Sequence, residues 1–68
     1  MSVYKVIEIV GTSPDSWEAA AAAAIAKASG SLRDLRVGEA TQFDLTIADD
    51  GTVESYRVKL AVSFKFED

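Results

Sequence analysis

The chain has 68 residues, no cysteine, no histidine and a net charge of −4. Disulfides, thiolate metal sites and an imidazole acid/base are therefore excluded, and nucleic acid, which needs a concentrated basic surface, is not an expected partner. A chain this short supports one domain, residues 1–68, whose core is marginal alone, so self-association is the remaining way to reinforce it.

Val3 to Val10 is β-branched and apolar with Lys5 and Glu8 interposed, which reads as a strand. Gly11, Thr12, Ser13 and Pro14 follow. Ser13 suits a helix N-cap and Pro14 the first helical position. Asp15 and Glu18 then lie in the first turn, where negative charge complements the helix dipole. A glycine before a helix raises the question of a phosphate cradle. Pro14 removes a backbone donor, however, and no Gly-Lys-Ser/Thr ending follows, so the turn is read as a helix start. Trp17, Ala20, Ala21, Ala24, Ile25 and Ala28 recur at helical spacing. The six consecutive alanines combine high helix propensity with side chains small enough to lie close to a sheet. Glycine's ease in the left-handed region predicts a stop near Ser29 and Gly30.

From Leu35 the period changes to two. Leu35, Val37, Thr41, Phe43, Leu45 and Ile47 are predicted to share a face, interrupted by Glu39. Asp49-Asp50-Gly51 is a hairpin turn signal. Val53 to Phe66 alternates again, with Tyr56, Val58, Leu60, Val62, Phe64 and Phe66 on one face and Arg57, Lys59, Ala61, Ser63 and Lys65 on the other. The expected order is β-α-β-β, an α+β fold. The hairpin pairs antiparallel, and the first strand adds to the free edge of the last, giving strand order 1-3-2 with one helix on the sheet. About fourteen residues of strand span roughly 46 Å, whereas about sixteen residues of helix span only roughly 24 Å. Apolar strand ends are left uncovered, and they predict a homo-oligomer. The longest apolar run, Ala19–Ala26, is too short to span a bilayer, and MSVYKVIEIV lacks a basic segment ahead of an apolar one. The expectation is a soluble, cytoplasmic protein without a membrane partner.

"VYKVIEIVGTSPDSWEAA", "LRDLRV" and "YRVKLAVSFKFE" resemble the dodecins. The resemblance implies a three-stranded antiparallel sheet wrapped round one helix, assembled from trimers into a hollow homododecamer. It also implies flavin storage or buffering, with riboflavin or its phosphate (FMN) stacked on a Trp near the start of the second strand. In that family a Gln of the third strand hydrogen-bonds the ring edge. Here Val37 stands at the Trp position and Arg57 at the Gln position, so both contacts are substituted and family-type flavin binding is expected to be lost. "MSVYKVIEIVGTSP" and "YRVKLAVSFK" resemble a Trp-lacking branch in which calcium binding is described. No EF-hand spacing is present. Symmetry repeats a single carboxylate around an axis, and Asp15, Glu18 and Asp44 are the candidate metal ligands. Trp17 is read as a packing anchor. Without His or Cys, and with no paired carboxylates at a recognisable spacing, no catalytic residues are assigned and no enzyme is expected. The resulting expectation is a non-enzymatic shell that binds or stores a small ligand or ions, with calcium as the leading candidate. The alternatives are flavin storage through a remodelled site and a structural or partner-binding assembly.

Overall fold

The alternation of Val58, Leu60 and Val62 makes the last strand the spine of the sheet, because a period of two puts all three on one face. In the computed structural model, which describes residues 1–66, these three are buried with Ala20 and Ala24. The elements are β1 (Tyr4–Ser13), α1 (Trp17–Ser29), β2 (Leu35–Ile47) and β3 (Val53–Lys65). The sheet order is β1-β3-β2, with both pairings antiparallel, as the sequence predicts. The helix lies on one face and meets all three strands. Ile7, Ile9, Trp17, Ala21, Ile25 and Leu35 pack round the buried centre. No described helix is long and apolar enough to cross a membrane.

The turn before the helix differs from its sequence reading. Pairing with β3 continues to Ser13, opposite Tyr56, so Gly11, Thr12 and Ser13 belong to a strand. Ser13 is buried, and its Oγ accepts the Asp15 N–H at 3.0 Å within the turn. The helix cap is Ser16, in extended backbone, whose Oγ accepts the Ala19 N–H at 2.9 Å. Gly11 serves the helix in another way. A Cβ built there would fall on the Ala20 carbonyl oxygen and within 2.8 Å of the Ala24 Cβ. Glycine on the strand and alanine on the helix thus set one close approach between two elements. Gly30 ends the helix in right-handed backbone at φ −72°, not in the left-handed region. The left-handed non-glycine residue of that connection is Asp34, at φ 58°.

β2 also departs from simple alternation. Its register slips between Leu35 and Val37 and again between Ala40 and Gln42. Each slip adds one residue to the strand and turns the following side chains over. Leu35, Phe43 and Leu45 therefore stand opposite Phe64, Val58 and Tyr56 on the helix side. Val37 and Glu39 between the slips stand opposite Ser63 and Ala61 on the other face, and Gly38 and Ala40 turn inward. The predicted common face of Leu35, Val37 and Thr41 is thus corrected: Val37 leaves it, and Thr41 is an extra residue whose Oγ1 donates to the Lys59 carbonyl.

Candidate functional site

The face of the sheet away from the helix carries the candidate ligand positions. Direct pairing places Val37 opposite Ser63, Glu39 opposite Ala61, Gln42 opposite Lys59 and Asp44 opposite Arg57. From β1, Glu8, Val10 and Thr12 pair with Ala61, Lys59 and Arg57. The best-defined feature is the Asp44–Arg57 pair. Arg57 Nε donates to Asp44 Oδ1 at 2.7 Å, and Nη2 donates to Oδ2 at 3.1 Å. This is a two-pronged fork that fixes the guanidinium plane. Donation from Arg57 holds the Asp44 carboxyl below its ordinary value, opposed by a smaller push upward from desolvation. The same hydrogen bond raises Arg57.

Asp44 is held from the other side of the sheet as well. The Trp17 indole Nε1–H donates to its backbone carbonyl at 3.0 Å. The indole is itself set edge-on against Tyr56, at 5.1 Å between ring centroids, and against Phe43, at 5.9 Å. Trp17 is thus an anchor between helix and sheet, as its helical position predicts. Beside Arg57 is a cleft of about 180 Å³ lined by Val10, Gln42, Asp44, Arg57 and Lys59. The Lys59 Nζ reaches Glu8 Oε2 only at 3.7 Å.

The structure does not gather the sequence candidates in one chain. Val37 is 62% exposed on the same face as Arg57. Ser63, the partner of Val37, is six positions from Arg57 on β3, or about 20 Å at ~3.3 Å per residue. A small ligand touching both positions must therefore take them from different copies. Glu18 is exposed in the first turn of α1, whereas Asp15 is exposed in the bend ahead of the Ser16 cap and, like Pro14, lies outside the first turn in which the sequence places it. Asp44 is engaged by Arg57. Among the described residues no three carboxylates converge where they could hold a metal. Sequence reading missed the Asp44–Arg57 pair and the Trp17 bond to Asp44. A signal for the first exists in the hairpin register, though an extra residue hides it.

An antiparallel 1-3-2 sheet with one helix packed on it is the fold this chain shares with solved dodecins. The chain belongs to the dodecin family, whose family model matches residues 3–67. It is 52% identical over 65 residues to the calcium dodecin of Mycobacterium tuberculosis, covering 96% of this chain and 90% of that protein. It is 44% identical over 66 residues to the dodecin of Thermus thermophilus, covering 97% and 94%. The crystal structure of an arginine-to-alanine mutant of the T. thermophilus dodecin superposes with a TM-score of 0.92, at 43% identity and full coverage of both chains. The crystal structure of the M. tuberculosis protein, described as a calcium-chelating immunodominant antigen with a novel calcium-binding site, gives 0.85 at 50% identity, covering 97% of this chain and 93% of that one.

Proposed function

We propose that the chain is the subunit of a non-enzymatic homododecameric shell that binds calcium, and that its flavin site has lost its ring contacts. The observation that carries this reading is the state of the two family flavin positions. Val37 offers no aromatic platform, and Arg57, standing where the family has Gln, has its Nε and one Nη2 donor taken by Asp44. Stacking of a planar base on an aromatic ring contributes about 1–3 kcal/mol, and the same scale is taken here for the flavin ring. Similarity to a calcium dodecin supports the choice of ion.

Calcium takes six to eight oxygens, more than any described cluster of this chain supplies. Its site is therefore assigned to carboxylates repeated by symmetry. Asp15, exposed ahead of the helix cap, and Glu18, exposed in the first helical turn, are the primary candidates. Asp44 joins them only if Arg57 gives it up.

The test is calorimetric titration of calcium into chelator-treated protein, with riboflavin titrated in parallel by fluorescence quenching. Saturable calcium binding, weakened about tenfold (about 1.4 kcal/mol) by Asp15→Asn or Glu18→Gln, supports the assignment. If Asp44 is a ligand, Arg57→Ala releases it and calcium binds more tightly. No calcium binding in the intact assembly overturns the reading. Strong quenching by riboflavin at one flavin per chain would favour flavin storage through a remodelled site. Absence of both would leave the structural assembly.

A further inference from the structure

We propose that the cleft between Val10, Gln42, Arg57 and Lys59 binds a small oxyanion, a phosphate or carboxylate group, through the free edge of the Arg57 guanidinium and the Lys59 ammonium. The proposal stands on the sheet register and not on the calcium reading.

A guanidinium has five N–H donors. Asp44 takes one from Nε and one from Nη2, so three remain, on Nη1 and Nη2. Two of these lie on one edge, the geometry that matches a second carboxylate or a phosphate. Asp44 fixes the plane in which that edge is presented, and the Trp17 bond fixes the backbone that carries Asp44. Asp44 is therefore a positioning residue for Arg57.

The second cation is available. Lys59 lines the same cleft and meets Glu8 only at 3.7 Å, with its own side chain half-buried and that of Glu8 exposed. A compact ammonium on a flexible stem can turn to an anion without breaking a short bond. Gln42, directly opposite Lys59, adds an amide that donates as well as accepts. Val10 gives the cleft an apolar wall. The lining carries two positive charges and one negative, in a chain whose net charge is −4. The overall field repels anions, so an anion held by this protein must be held locally.

The test is titration of inorganic phosphate into the assembled protein by phosphorus NMR or calorimetry. The expected result is saturable binding, one per chain, with an affinity on the order of millimolar because the groups are solvated and screened. Arg57→Gln and Lys59→Gln should each weaken it about tenfold or more (about 1.4 kcal/mol). Lys27→Gln, which removes the same charge from the exposed helix surface, should leave it unchanged. Trp17 fluorescence and light scattering verify that each variant stays folded and assembled. The proposal is overturned if wild type shows no saturable binding, or if Lys27→Gln weakens binding as much as Arg57→Gln. Competition by phosphate against FMN but not against riboflavin would show that the cleft reads the phosphate and not the ring. Calcium binding that persists in Arg57→Gln while phosphate binding is lost would separate this site from the metal site.

Discussion

Asp44 shows how much one side chain on an open sheet can be made to hold. Its carboxylate grips Arg57 and its carbonyl accepts from Trp17, so a helix residue and a strand residue meet through it on opposite faces. The carboxyl pKa is lowered in the folded chain, principally by the Arg57 hydrogen bond. A depressed carboxyl contributes stability that is complete above its unfolded value, about 3.9, and is lost as pH falls through its lower folded value. Asp44→Asn should therefore be less stable than wild type at neutral pH. The gap should close as both are acidified through the range below pH 4. Denaturant melts at neutral pH and near pH 2 check this. An Asp44→Asn deficit that persists unchanged in strong acid would mean that the pair contributes by shape alone.

At the scale of elements, the helix and β1 are fitted to each other by subtraction of side chains. Gly11 and the alanine pair Ala20 and Ala24 leave no room for a methyl group on the strand. Gly11→Ala should destabilise the fold by about 1–3 kcal/mol, the usual cost of overpacking a filled interface, read as a shift in denaturation midpoint. Sequence made this interface half legible. The alanine run announces a helix that comes close to something, but Gly11 was read with the turn because Ser13 and Pro14 look like a cap and a first turn. Ser16 takes the cap because Ser13 is already committed to pairing with Tyr56.

The register of the hairpin was concealed in a similar way. Ile47 pairs with Val53, and counting outward one by one sets Asp44 opposite Tyr56. A slip between Thr46 and Ile47 leaves Glu54 as an extra residue on β3 and brings Asp44 opposite Arg57. Alternation reveals that a strand exists and which residues are apolar. It does not reveal where an inserted residue changes the face. For that reason the element order and the β3 core were readable, while the principal ion pair of the candidate site was not.

The whole molecule is 52 Å long, yet its thirteen-residue helix covers only about 20 Å of it at ~1.5 Å per residue. Ile47 and Val53 at the hairpin end, and Val3, Tyr4 and Phe66 at the other, are large apolar side chains left in solvent by a single chain. Exposed apolar strand ends favour association. Light scattering should report about twelve chain masses. Ile47→Asp should lower that mass while the sheet and helix remain visible by circular dichroism, because Ile47 is exposed and is not part of the buried centre. An unchanged assembly would place the hairpin end outside every contact between copies.

The paired slips in β2 act like two insertions in a reading frame. The first, at Arg36, puts the strand out of phase, and the second, at Thr41, restores it. Residues 37–40 are an inverted window inside a strand that is otherwise in step with the core. Deleting Thr41 alone would remove a residue that has no partner on β3, so Ala40, Gln42 and Phe43 would follow one another opposite Leu60, Lys59 and Val58, and Asp44 would still meet Arg57. Deleting Arg36 and Thr41 together would give an unbroken ladder in which Val37 and Glu39 keep their places opposite Ser63 and Ala61 on the outer face. Loss of an unpaired residue therefore leaves the faces as they are, whereas loss of a paired one turns the neighbouring side chains over. The window that carries Val37 can be remodelled by substitution far more freely than by insertion or loss.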